Sequence, residues 1–343
     1  MIRAGVGQSQ EGTTRRAVEE AAAQALSKAG IARADFAMVF FTADHAAQSS
    51  DLVSGLSHDI YFRPEGEGLL LCACDQTELA PGDPPVDGSV QELLAEKIGQ
   101  FMAIPVFPNR KFRHSYIFVP ENSPLREPGQ LKGKRVGIPG WLNTCGLWAR
   151  GILSDEYGVS PQDIHWVSTR PAKLDLSLPA GVRIDVVPGQ GSLAARMLKG
   201  EFDAIIVPDF PEEKGWRRLF ADSKAVEQDF FQRTSIFPTS HAITFHSSYL
   251  EKYPAAAQAM FDACLQAKNL ALRDDADATY SNFAWNRQIW EEQQSVLGPD
   301  PWKFGIKGNE KVLNTLIRYA GEQGLLAKKV TVADLFIQVD EPN

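Results

Sequence analysis

From residue 90 onward, short apolar runs alternate with amphipathic stretches, and this alternation confines the chain to an α/β architecture. Residues 90–101 read as helical, 103–107 as extended and 115–119 as a strand. Residues 134–139 form a strand pattern that ends at Gly140 and leads into a helix from about 143 to 157. Further strands are expected at 164–167, 183–187 and 202–207, the last preceded by a helix over 192–199 closed by Gly200. From His241 the pattern gives a strand, long helical stretches at 255–273 and 282–295, and a final helix at 309–323. Such a pattern predicts mostly parallel sheets covered by helices on both faces. With 343 residues, the chain has room for about two domains.

Ahead of this lies a different texture. A Gly-rich turn, Gly5-Val6-Gly7-Gln8-Ser9, precedes an Ala/Glu-rich helix over 14–28 and a strand over 36–41, a β-α-β unit. The turn lacks the third glycine of a dinucleotide fingerprint and the Lys-Ser/Thr of a phosphate loop, so an ordinary tight turn accounts for it. An apolar strand over 68–74 and a Pro/Gly-rich linker over 80–85 follow.

Composition narrows the function classes. A formal charge of −8 with no basic tract argues against nucleic acid or an anionic membrane as partner. No apolar leader and no membrane-length apolar run is present, which leads to the expectation of a cytoplasmic protein. The four cysteines, Cys72, Cys74, Cys145 and Cys264, lack zinc or redox spacing and read as reduced thiols. No ligand cluster of metal spacing occurs, so neither metal nor cofactor is expected. Oligomeric state stays open; Trp285, Trp290 and Trp302 would serve a homo-oligomer interface as readily as a core.

Three segments concentrate chemistry. Residues 105–115, with Arg113-His114-Ser115 at their end, place a guanidinium, an imidazole and a hydroxyl before a strand. A guanidinium there would grip a carboxylate in two-pronged fashion; a solvated basic turn is the equal alternative. Gly140 to Thr144 form a strand-to-helix turn whose free amides suit an anion, and Asn143 or Thr144 would cap the helix. Trp148 and Arg150, further along, either face a ligand or pack, with packing the commoner fate of such a Trp. Thr234 to His241 form an extended polar segment of the kind that crosses between lobes and lines a cleft. A lone His241 is more often structural than catalytic. His45, His58, His165 and His246 carry no motif.

At these residues the chain resembles the 4,5-dihydroxyphthalate decarboxylase family. The matching blocks are AIPVFPNRKFRHSYIFV, LKGKRVGIPGWLNTCGLWARGILSDEYGV, LKGEFDAIIVP, RTSIFPTSHAI and LGPDPWKFGIKGN, in order, within about residues 69–336. The resemblance implies a two-lobed fold like that of type II periplasmic binding proteins, with mixed, mostly parallel sheets flanked by helices. Lobe I would comprise residues 69–116 with 219–343, and lobe II residues 117–218. Residues 1–68 would form an N-terminal β-α-β extension whose AGVGQSQ and DFAMVFFTADH resemble the start of a FIST domain. The turn PGWLNT differs from the family's usual acidic, tyrosine-containing one, which leaves the substrate open.

The implied activity is decarboxylation of a hydroxylated aromatic carboxylate. Arg113 and the amides of Gly140, Asn143 and Thr144 would hold carboxylates. Ser115 and Thr234 would orient phenolic oxygens, with Trp148 against the ring, and His114 or His241 would deliver the proton. The alternative is a non-catalytic solute-binding protein for a small organic anion, because fold alone does not fix function. A sensory protein reading a ligand through residues 1–60 is a third reading.

Overall fold

The computed structural model describes residues 101–342 apart from 171–177, 189–190, 277–282 and 327, together with two helical fragments at 23–24 and 27–28. The expected N-terminal unit, the linker, Cys72, Cys74, His45, His58 and the helix at 90–100 lie outside the described residues.

Two sheets organise the rest. β1 (Phe101–Ile104) pairs antiparallel with β8 (Ile243–His246), Ile104 opposite Ile243. The larger sheet draws all six strands from one contiguous stretch: β2 (Ile117–Pro120), β3 (Arg135–Ile138), β4 (His165–Ser168), β5 (Arg183–Val186), β6 (Ala204–Ile206) and β7 (Trp216–Arg218). Its order is β5-β4-β3-β6-β2-β7. The first four run parallel. β2, however, is antiparallel to both its neighbours. The sheet is thus mixed and mostly parallel, as expected, with its antiparallel part at this edge, where β2 enters and β7 leaves the layer side by side.

Helices cover the sheets: α1 (Thr144–Tyr157), α2 (Leu193–Leu198), α3 (Ser223–Thr234), α4 (Ser247–Lys252), α5 (Ala256–Asp275), α6 (Asn286–Leu297), α7 (Glu310–Glu322) and α8 (Val332–Leu335). Residues expected to begin a strand, Ser115 and Tyr116, instead belong to a 3-10 turn, His114–Tyr116, and the strand starts at Ile117. Phe101, expected to end a helix, opens β1. β7 gave no strand signal because Trp216-Arg217-Arg218 is polar; its pairing comes from β2, with Arg218 opposite Phe118.

The principal core joins the large sheet to α1 and α7. Trp148, Phe118, Trp166, Ile205 and Tyr319 belong to one cluster. Burying side chains of this size contributes about 1.5–3 kcal/mol each. Smaller clusters sit around β1, β8 and α5 (Ile104, Phe245, Phe261) and around Phe107, Leu313 and Phe336. α1 and α7 approach closely because residue 151 is glycine: a Cβ there would stand 2.2 Å from the Tyr319 ring. Asp155 receives the Tyr319 hydroxyl at 2.8 Å and pairs with Arg318. Among the described residues no helix is long and apolar enough to cross a membrane.

Candidate functional site

Two segments connect the sheets, and they lie against each other. Residues 105–116 run from β1 to β2, and residues 235–242 run from α3 to β8. Lys111 N donates to Pro238 O at 3.1 Å and Ser240 N to Asn109 O at 3.0 Å, with an antiparallel bridge between Arg110 and Thr239. Arg110, buried, holds the crossing together. It donates to Phe237 O and Lys303 O, both at 2.9 Å, and to the Asn309 side chain. Burial lowers its pKa to about 10.

Arg113 differs from Arg110 in what it leaves unused. Its side chain is only 3% exposed, and one terminal nitrogen donates to the Ser240 hydroxyl. Nε and Nη1 find no acceptor among the described residues. The guanidinium carbon lies 5.6 Å from the Tyr116 ring centre. A buried guanidinium with donors to spare is costly unless an anion meets it.

His241 adjoins Ser240 and belongs to the same neighbourhood. Burial, then the charges of Arg113 and Lys111, push its pKa down to about 4. Cys145, buried at the second position of α1, also feels the Arg113 charge, although burial dominates and raises its thiol pKa. The first turn of α1 therefore lies beside the guanidinium. Asn143 caps that helix as expected, its side-chain oxygen taking the amides of Cys145 at 2.9 Å and Gly146 at 3.4 Å. This cap does not engage the Thr144 amide. Thr144 itself is buried, and Gly140 is half-buried with open space where a Cβ would be.

Other expected site residues stand apart. His114 is 1% exposed, with Phe230, Phe220 and Tyr157 ring centres at 5.2, 5.3 and 6.2 Å. Among the described residues neither ring nitrogen has a partner, and burial followed by the Arg233 charge lowers its pKa to about 4. Arg113 is the residue just before the 3-10 turn that His114 opens, and the contacts of the two side chains differ, Arg113 meeting Ser240 and Tyr116 and His114 meeting Phe230, Phe220 and Tyr157. Thr234 closes α3, its hydroxyl donating to Phe230 O at 2.6 Å and accepting from Ile236 N at 3.1 Å. Ser115 N donates to Glu227 Oε1 at 2.8 Å. Trp148 is fully buried, its Nε1 donating to Thr239 O at 2.8 Å, so it braces the crossing segment.

Sequence reasoning missed three groups that belong to this neighbourhood. Ser240 sat unremarked beside His241. Lys111 lies 5.4 Å from the Tyr116 ring centre and ion-pairs with Asp209 at 3.5 Å. Glu227 carried no motif at all; burial raises its pKa against the opposing influence of Ser115, Arg218 and Arg113. No group of three or more His, Cys, Asp or Glu side chains gathers as a metal site would require, among the described residues. The arrangement as a whole can hold an anion on Arg113 and bring a titratable imidazole to it.

No family model matches the chain. The chain is 30% identical over 249 residues to a 4,5-dihydroxyphthalate decarboxylase from Comamonas testosteroni, covering 69% of this chain and 76% of the relative. It is 32% identical over 146 residues to a Pseudomonas putida protein of the same name, covering 39% of this chain and 57% of that one. Among solved structures it is similar to the periplasmic aliphatic sulphonate binding protein SsuA from Escherichia coli. There the TM-score is 0.41 at 18% identity, over 70% of this chain and 75% of that one.

Proposed function

The chain belongs to the 4,5-dihydroxyphthalate decarboxylase family, and from that membership we propose that it is a carboxy-lyase acting on a hydroxylated aromatic carboxylate, with His241 as proton donor. The observation that carries the assignment of roles is the pair of unused, buried donors on Arg113 beside His241. Arg113 and the Thr144 amide, the one first-turn amide of α1 that neither the Asn143 cap nor the helix engages among the described residues, hold the substrate carboxylates. The imidazolium of His241 gives its proton to the ring carbon that bears the departing carboxylate, a carbon made basic by a phenol oxygen in conjugation with it. The carbon–carbon bond then breaks, its electron pair restores the aromatic ring, carbon dioxide leaves, and neutral His241 regains a proton from solvent.

At rest His241 is neutral near pH 7, since its pKa is about 4. Two of the three causes are cations, Arg113 and Lys111, and a bound dianion offsets both. Substrate thus raises the basicity of the group that must be protonated to attack it. Binding and proton uptake are one event.

The test is carbon dioxide release from 4,5-dihydroxyphthalate by the full chain and by His241→Asn. The proposal requires turnover in the parent, and its loss in the variant with ligand binding retained. Saturable binding without carbon dioxide from any hydroxylated phthalate or benzoate would establish the solute-binding alternative instead.

A further inference from the structure

Away from Arg113 and His241, a groove of about 470 Å³ runs beside β7, lined by Glu121, Arg126, Trp216, Arg217, Arg218 and Phe220. It contains neither Arg113 nor His241, although Arg218 is near enough to Glu227 to feel its charge and Phe220 lies 5.3 Å from the His114 ring, and its volume lies within the range of small-molecule sites. Arg217 is largely spent on the fold: it donates to Glu121 O at 3.3 Å, Arg218 O at 3.1 Å and Ser123 O at 3.0 Å. Arg126 reaches the same stretch of chain, donating to Ser123 O and, at 3.1 Å, to Leu125 O. Two cations are thereby drawn together on shared carbonyls. Burial lowers the Arg217 pKa, and the charge of Arg126 lowers it further.

Arg218 is the third cation, and it is unspent. Its guanidinium lies 4.8 Å from the Phe210 ring centre, and its buried Nε has no partner among the described residues. Among the described residues none of the three arginines forms an ion pair with a carboxylate; Glu227 is near enough to feel Arg218 but does not bond it. Three guanidiniums against the one carboxylate of Glu121 make the groove an attractor for anions. Of its two aromatic lining residues, Trp216 is half-buried and Phe220 only 7% exposed, its ring packed against His114 and Tyr157.

We propose that this groove is a second binding site, specific for a small planar carboxylate, with Arg218 and Arg126 on the carboxylate and Trp216 and Phe220 against the ring. It stands independently of the decarboxylation reading, because nothing in it depends on Arg113 or His241. Its occupant is an aromatic acid of the substrate's or product's own chemical class, bound without reaction.

Titration calorimetry of the full chain with phthalate at low salt tests it. The expected result is two sites per chain. Arg218→Gln and, separately, the surface change Arg126→Gln each weaken one of them by at least about tenfold and leave the other intact. Arg113→Gln removes the complementary site and spares this one. A single site in the parent chain overturns the proposal, as do two unchanged sites in both groove variants. Inorganic phosphate binding the groove as tightly as phthalate overturns the role of the aromatic walls. A chain that never releases carbon dioxide but still shows two separable sites would sink the catalytic reading while leaving the groove standing.

Discussion

Replacing Arg113 with methionine should make the empty protein more stable and the liganded one much weaker. The guanidinium is 3% exposed and leaves Nε and Nη1 without acceptors. Each buried, unsatisfied donor costs about 1–3 kcal/mol, and burying the charge adds to that. Methionine fills similar length with apolar atoms and removes the cost. Losses offset part of the gain: the hydrogen bond to the Ser240 hydroxyl and the interaction with Cys145, at about 1 kcal/mol each, and the contact with the Tyr116 ring, at about 0.5–1 kcal/mol. The net expectation is a gain of about 1–2 kcal/mol, a few degrees in melting temperature for a chain of this size. Binding moves the other way. Two charge-assisted hydrogen bonds to a carboxylate contribute about 1.5–3 kcal/mol each, so affinity should fall by about 100-fold or more. Thermal melts with and without 4,5-dihydroxyphthalate read both quantities from one sample. A variant that melts lower when empty, yet keeps the full ligand-induced shift, would refute the reasoning, because Arg113 would then be a structural strut like Arg110.

Four further outcomes are expected. If substrate drives protonation of His241, phthalate binding near pH 7 takes up protons, seen as a buffer-dependent enthalpy in calorimetry, and His241→Asn abolishes the uptake. His114 has a pKa of about 4 in the folded protein against 6.5 unfolded, so the unfolded chain takes the proton first. Stability is therefore lost as pH falls from about 6.5 to about 4, by up to about 3 kcal/mol; His114→Phe should flatten that decline in denaturant melts while sparing turnover. Gly151→Ala forces a Cβ to within 2.2 Å of the Tyr319 ring and should lower stability by about 1–3 kcal/mol or more. Trp148→Phe frees Thr239 O from its 2.8 Å bond and should cost about 1–3 kcal/mol in urea melts, with a raised KM as the crossing segment loosens.

The parts of the molecule that announce themselves in sequence are those whose structure is decided locally. Asn143 before an apolar helical pattern marks the start of α1, and Gly158, at φ 61°, ends it. Asn309 similarly marks the start of α7, though its side chain is turned inward to Arg110, Lys303 and Gly305 rather than capping the helix. The parts that hide are decided by partners far away in the chain. β7 is a strand because β2 offers it an open edge, and nothing in Trp216-Arg217-Arg218 declares this.

The candidate site divides in the same way. Arg113 was legible as a loop guanidinium before a strand. Its neighbour His114 was not separable from it by composition, yet consecutive side chains diverge on a strand and on a 3-10 turn alike. Glu227 reaches Ser115 across 112 residues, a separation at which local pattern carries no information.

The bolt between α1 and α7 has a mechanical corollary. α7 follows a stretch of chain that packs with the small sheet, for Gly305 N donates to Pro105 O at 2.8 Å just before it. Yet α7 itself is keyed to α1 through Gly151, Asp155 and the Gln323 side chain, which donates to Leu147 O at 3.0 Å. If the two sheets move relative to one another, α7 stays with the large sheet, and the chain between Gly305 and Glu310, tied to Arg110 through the Asn309 side chain, has to bend.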